Sequence, residues 1–134
     1  MVKPMRRAQT GPRRAGFTLI ELLVVMAILS TLLSIGLPRY YDSVKRAEEA
    51  TLKQNLALLR EAIDKHYADT GRYPMALQDL VDKRYLRHLP RDPVTDSAET
   101  WAAVAPPSGL PGRVYDVKSG SEALARDGSA FNTW

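Results

Sequence analysis

The sequence contains no cysteine and only two histidines, His66 and His88. Without cysteine the chain has no disulfide framework, no thiolate nucleophile and no cysteine-based metal site. The two histidines do not have the spacing of a metal-binding pair. The sequence also lacks a recognisable Ser, His and Asp set and a Gly-rich phosphate loop. These absences disfavour an enzyme.

Acidic residues are missing from the first 16 positions, which carry five basic residues: Lys3, Arg6, Arg7, Arg13 and Arg14. The formal charge of +4 and the pI near 9.5 therefore come from this leader. The rest of the chain contains 14 basic and 15 acidic residues, a net charge of −1. A basic surface for nucleic acid is not indicated for the folded part, and we expect no nucleic acid partner.

One long apolar run follows the leader. Residues 17–37 form a stretch of 21 residues. As a helix it is about 31 Å long at roughly 1.5 Å per residue, which matches a bilayer core of about 30 Å. Because the basic residues all precede it, the positive-inside rule predicts a cytoplasmic start and a C-terminal part across the membrane. Its one charge, Glu21, needs a partner, since a carboxylate at the centre of a membrane helix costs roughly 2.5 to 3.5 kcal/mol.

The residues around Glu21 form a motif. Residues 16–21 read GFTLIE. They resemble the processing site of type IV pilin-like proteins, in which a membrane peptidase cuts after the glycine, here Gly16, and the new N-terminal phenylalanine is methylated. Counted from Phe17, the carboxylate is the fifth residue and Pro38 is the 22nd, which agrees with that family.

Plainer explanations of the same segment stay open. The small residues Ser34 and Gly36 are compatible with cleavage of an ordinary signal peptide, and the arginines at 13–14 with a twin-arginine export signal. Glu21 can also extend its side chain to the lipid headgroups. Pro38 cannot donate a hydrogen bond to the carbonyl of Ser34, so the helix is expected to kink or loosen there, which would serve simply as a bend at the membrane exit.

The resemblance assigns a role to these residues. It implies that cleavage between Gly16 and Phe17 frees an α-amine, and that this ammonium pairs with the Glu21 carboxylate of a neighbouring subunit. It also implies that a helical segment near Pro38 melts on assembly. Gly16 and Phe17 are then the processing and methylation site, and Glu21 and Pro38 are assembly residues.

The chain is predicted to have four parts. They are a leader at 1–16 that a prepilin peptidase removes, a transmembrane and assembly helix at 17–38, an amphipathic stalk helix at 39–70 and a small periplasmic head at 71–134. Apolar residues recur at spacings near three and four on one face of the stalk: Val44, Ala47, Leu52, Leu56, Leu59, Ile63 and Tyr67. On that face His66 is expected to be a packed core residue.

Three ion pairs, each between an acidic and a basic residue four positions apart, are expected on the solvent-exposed face of the stalk: Asp42 with Arg46, Glu49 with Lys53, and Glu61 with Lys65. The head is predicted to contain a short helix at 76–85 and two strands at 100–105 and 114–118, joined by a Pro-rich and Gly-rich turn. A hairpin needs a packing partner, so we place it on the stalk. The fold class is therefore α+β, with a long N-terminal helix, a short helix and a small antiparallel hairpin.

The head makes the resemblance more specific. The strings GRYP at 71–74, LPRDP at 89–93 and VYDVKS at 114–119 resemble the G-type major pseudopilins of type II secretion systems. That resemblance implies a structural subunit, held in the bacterial inner membrane by one helix, that polymerises with other pseudopilins into a periplasmic fibre driving protein export across the outer membrane. Its implied partners are a prepilin peptidase, an N-methyltransferase and an inner-membrane assembly platform. A pilin or minor pilin of a type IV pilus or DNA-uptake apparatus is the first alternative, and a membrane-anchored periplasmic enzyme is a distant one.

The resemblance also implies a possible ligand, because a C-terminal loop with Asp-Gly binds calcium in that family. No other cofactor is implied. The candidate donors here are Asp127, Asn132 and Ser119. Calcium takes roughly six to eight oxygen ligands, and this tail supplies one clear carboxylate, Asp127. An ordinary Asp-Gly turn is the alternative.

If 16–21 is a processing site, the mature protein begins with N-methylated Phe17. Mass spectrometry of the membrane-extracted protein is expected to find an N-terminal peptide that starts at Phe17 and carries one added methyl group. An intact Met1 or a start at Leu37 would contradict the assignment, because neither leaves an amine beside Glu21.

Overall fold

The computed structural model describes residues 1–6, 11–12 and 15–134. The leader arginines Arg7, Arg13 and Arg14, with the twin-arginine alternative, lie outside them. The described residues divide into two compact units, Met1–Arg39 and Tyr40–Trp134. Along the chain the elements are two helices, α1 (Leu19–Thr70) and α2 (Gln78–Asp82), two strands, β1 (Ala102–Val104) and β2 (Asp116–Lys118), and a 3₁₀ helix at Phe131–Thr133. The fold class is α+β, as predicted.

The long helix predicted for the transmembrane and stalk segments forms as one element of 52 residues, α1. It continues through Pro38, so the proline does not interrupt the helix, and melting at this point on assembly stays a prediction. Gly71 ends it with a φ of 70°, and its N–H donates to the Tyr67 carbonyl at 2.8 Å. Because glycine adopts that left-handed conformation without steric cost, the helix stops at the predicted residue.

The apolar face of the stalk forms one side of the core of the unit Tyr40–Trp134. Its buried positions on α1 are Leu52, Leu56, Leu59, Ala62, Ile63 and His66. The rest of the head covers this face with Leu80, Leu86, Trp101, Val114, Val117, Ala125 and Phe131. The predicted face was too long at its start, because Val44 is 38% exposed and Ala47 is exposed. The apolar core between head and stalk therefore begins at Leu52.

Two of the three predicted ion pairs on the stalk form. Arg46 lies 3.3 Å from Asp42 and Lys65 lies 2.8 Å from Glu61, and the hydrogen bond and charge of Lys65 hold the pKa of Glu61 below its usual value. The third prediction was wrong: Glu49 accepts a hydrogen bond from the backbone N–H of residue 126, and Lys53 lies over the Trp134 ring. Tertiary contacts thus replace the local pair.

The short helix of the head is shorter than predicted. It spans Gln78–Asp82 instead of 76–85. Asp79 accepts hydrogen bonds from the backbone N–H groups of Met75 and Ala76, which fixes these residues in the turn before the helix. Arg84 has a φ of 62°, so the chain leaves the helical conformation just after the helix.

The two strands pair antiparallel, as predicted, with Ala102 opposite Lys118 and Val104 opposite Asp116. Each has three residues, fewer than predicted. Trp101, predicted as a strand residue, is buried and donates from its indole to the Pro90 carbonyl at 2.8 Å. Packing of this side chain replaces further ladder pairing at the start of β1.

Polar contacts connect the hairpin to its surroundings. Arg60 of the stalk donates to the Asp116 carboxylate at 2.7 Å, to the Val117 carbonyl at 3.0 Å and to the Trp134 carbonyl.

His66 is 2% exposed, and its Nδ1 lies 2.8 Å from the Arg72 carbonyl oxygen. The prediction of a packed core histidine is confirmed.

The leucines at 58 and 59 provide a matched test of this core. Leu59 is fully buried and Leu58 is 45% exposed. Leu59→Ala is expected to lower the free energy of unfolding by about 2 to 5 kcal/mol, because it opens a cavity in the core. Leu58→Ala should cost less than about 1 kcal/mol. Denaturation of the full chain in detergent, followed by tryptophan fluorescence, measures both. Equal losses would mean that the head does not cover this face of α1.

Candidate functional site

The predicted processing junction lies just before α1. Gly16 and Phe17 are outside the helix, and Phe17 is 86% exposed. Ala15, Gly16, Phe17 and Glu21 line one shallow cavity of about 190 Å³. The structure therefore brings the bond between Gly16 and Phe17 close to the Glu21 side chain, and it leaves the junction accessible.

Glu21 belongs to the start of α1 through a capping box with Thr18. The backbone N–H of Glu21 donates to the Thr18 hydroxyl at 3.2 Å, and the backbone N–H of Thr18 points to Glu21 Oε2 at 3.5 Å. This reciprocal pattern satisfies N–H groups that a helix start otherwise leaves without partners. This role of Thr18 was not predicted, although Thr-x-x-Glu before an apolar run is the sequence signature of a capping box.

The capping contact engages only part of the Glu21 carboxylate. A distance of 3.5 Å is at the limit of a hydrogen bond, and an ionised carboxylate has about four acceptor positions. The side chain is exposed, and the 3.5 Å contact with Thr18 is its only hydrogen bond in the described part of the chain. Glu21 therefore keeps capacity to accept a strong donor such as an ammonium group.

The helix around Glu21 offers no competing partner for such a donor. Among the described residues, α1 is the one helix long and apolar enough to cross a membrane. Its hydroxyl side chains bond its own backbone: Ser30 donates to the Met26 carbonyl at 2.7 Å and Thr31 to the Ala27 carbonyl at 2.9 Å. Ser34 likewise donates within the helix, at 2.8 Å. Glu21 is thus the one charged side chain of α1 before Arg39.

The candidate calcium donor Ser119 is committed elsewhere. It is fully buried, and its hydroxyl donates to Asp92 Oδ2 at 2.5 Å and accepts from the N–H of Ser121 at 3.2 Å. Asp92, also fully buried, accepts from the N–H groups of Val94 and Thr95 as well. This buried pair was not predicted, because only tertiary packing brings the LPRDP loop to the end of β2.

Asp127 and Asn132 do not complete a cation site either. Asp127 Oδ1 accepts from the hydroxyl and the N–H of Ser129 at 2.6 and 2.9 Å. These bonds, with the charge of Lys53, lower the pKa of the Asp127 carboxyl. Asn132 is exposed on the 3₁₀ helix. No group of three or more His, Cys, Asp or Glu side chains suited to a metal occurs among the residues that the structure describes. The three candidates do not fit a calcium site as they are arranged.

Comparison with known proteins agrees with this geometry. Residues 11–37 match a family model described as the prokaryotic N-terminal methylation motif. The chain is 33% identical to type II secretion system core protein G of Pectobacterium carotovorum subsp. carotovorum, over 63% of this chain and 65% of that protein. It is also 33% identical to the protein of that name from Klebsiella pneumoniae, over 60% of this chain and 69% of that protein. The matched region thus spans about two thirds of these relatives.

A type IV pilin is similar over a smaller part. The type IV major pilin protein PilA of Myxococcus xanthus is 36% identical, over 52% of this chain and 31% of that protein. No solved structure matches the chain significantly. The methylation motif, the long helix with its α+β head and the relatives covered over two thirds of their length lead to one assignment: the chain belongs to the family of type II secretion system core protein G.

Proposed function

We propose that this protein is a structural subunit of a type II secretion pseudopilus. It polymerises into a periplasmic fibre that drives protein export across the outer membrane. The names of the relatives support this role. The observation that carries it is the placement of Glu21, a partly engaged carboxylate beside the Gly16–Phe17 bond at the head of an exposed apolar helix.

Cleavage of that bond supplies the partner of Glu21. Hydrolysis adds water across the amide, which leaves a carboxylate on Gly16 and an ammonium on Phe17. In a membrane, an isolated ammonium and an isolated carboxylate are both costly, and their pairing between neighbouring subunits removes both costs. The cut therefore converts a subunit that cannot dock at its N-terminus into one that can.

The membrane arrangement follows from the distribution of charge. The charged residues of the leader are all basic. This favours a cytoplasmic N-terminus and a periplasmic head, with α1 crossing the inner membrane once. The proposed partners are other pseudopilin subunits, a prepilin peptidase, an N-methyltransferase and the inner-membrane assembly platform. The subunit has no active site of its own in this proposal, and the polymer performs the function.

The second candidate function is that of a pilin or minor pilin in a type IV pilus or DNA-uptake apparatus. The similarity to the Myxococcus xanthus pilin supports it over 52% of the chain. The core protein G relatives match a larger share of the chain, 63% and 60%, which favours the secretion system. The genes beside this one, for a secretion ATPase and secretin of either system, distinguish the two.

Substitutions of Glu21 test the proposal. Glu21→Gln and Glu21→Leu remove the charge and should weaken docking of each subunit by about two orders of magnitude, because the Phe17 ammonium then enters the apolar environment without a partner. Sheared-fibre yield, normalised to membrane levels of the protein, is the measurement. Both variants should still be processed at Gly16.

Glu21→Asp is the matched control, because it keeps the charge and should retain part of the fibre yield. Glu61→Gln is a second control, since Glu61 is an exposed stalk carboxylate paired with Lys65 and far along α1 from the Gly16–Phe17 bond. Normal fibre yield from Glu21→Leu at normal protein levels would exclude the proposed charge pairing.

A further inference from the structure

The C-terminal segment 119–134 closes on itself through backbone hydrogen bonds. The N–H of Ala125 donates to the Ser129 carbonyl at 2.7 Å, and the N–H of Phe131 donates to the Ala123 carbonyl at 3.0 Å. Ala125 and Phe131 are both 7% exposed and belong to the core. The segment therefore has its own internal frame and two apolar contacts with the head.

Two carboxylates of α1 attach this segment to the stalk. Glu49 Oε1 accepts the backbone N–H of Arg126 at 2.7 Å, and Asp42 Oδ1 lies 3.1 Å from Nε of the Arg126 side chain. We call Asp42, Glu49 and Arg126 the Arg126 cluster. Arg126 lies 77 residues beyond Glu49 in sequence, so these contacts exist only when the segment is folded against the helix. A hydrogen bond from an N–H to an ionised carboxylate is among the stronger ones.

The position beside Asp127 is electrostatically unsuited to a divalent cation. A cavity of about 380 Å³ lies there, and Lys53 and Arg60 line it together with Asp127 and Trp134. Two cationic side chains face one carboxylate that Ser129 already engages twice. Arg60 is paired with Asp116 and the Lys53 ammonium balances the charge of Asp127, so this position offers a calcium ion one carboxylate and no excess negative charge.

We infer that the Arg126 cluster holds the C-terminal segment against the stalk in place of a calcium ion, so the head folds and keeps its tail ordered without metal. The guanidinium of Arg126 supplies positive charge to Asp42 and its backbone N–H supplies a hydrogen bond to Glu49, whereas a metal site would gather carboxylates of the tail itself. This inference concerns the folding of one subunit and does not depend on the proposed role in a fibre.

Amide hydrogen exchange of the full chain in detergent micelles tests it. Mass spectrometry follows exchange in 119–134 with EGTA and with calcium at about 5 mM, above the dissociation constants of weak extracellular sites. The exchange rates are expected to be the same in both buffers. Glu49→Ala should raise the rate about fivefold in both, because the Arg126 N–H loses its acceptor.

Two variants complete the design. Glu49→Gln keeps an oxygen acceptor and should exchange more slowly than Glu49→Ala. Glu48→Ala removes the neighbouring carboxylate, which makes no hydrogen bond or ion pair with the described residues, and it should match the wild type. Slower exchange with calcium in the wild type would overturn the inference by revealing a metal site. Wild-type exchange in Glu49→Ala would overturn it by showing that the cluster does not hold the segment. Fibre assembly does not enter either measurement, so its failure would not affect the result.

Discussion

One helix, α1, combines a segment that is apolar on all sides with a segment that is apolar on one face, and the rest of the molecule depends on this constraint. Before Arg39, α1 is apolar on all sides, and its hydroxyls bond its own backbone. From Leu52 onward it is apolar on one face, and side chains of the head cover that face. The hairpin of three-residue strands and the five-residue α2 are too small to be stable alone, so they depend on the stalk leucines for a core.

Carboxylates bonded to backbone N–H groups recur throughout the chain. Glu21 caps α1 through Thr18, Asp79 holds the turn before α2, and Asp92 holds the turn at 92–95. Glu49 and Asp127 do the same for the C-terminal segment. Each bond fixes a main-chain direction, which a flexible ion pair between two long side chains does not. The loops of the head are thus shaped by acidic side chains more than by its short strands.

Local patterns predicted what depends on local physics. The apolar spacing predicted α1 and its buried face, Gly71 marked its end, and the hairpin paired as expected. The misses share a cause. Glu49 accepts a hydrogen bond from Arg126, 77 residues away, instead of pairing with Lys53, and the bond between Ser119 and Asp92 was not predicted, because packing of the loops decides these contacts. Thr18 is different, since its capping pattern was readable from the sequence.

The hydroxyl side chains of α1 that donate to the helix's own backbone leave few polar groups for contact with a second helix. Since Ser30 and Thr31 turn their hydrogen bonds inward, the surface before Arg39 offers a neighbour little beyond apolar contact. Apolar burial is non-directional and scales with the area covered, so it specifies an axial position less strictly than a charged pair does. In the proposed fibre, lateral attraction and axial offset would therefore have separate sources: apolar side chains would hold neighbouring helices together, and charge pairing at Glu21 would fix their axial position.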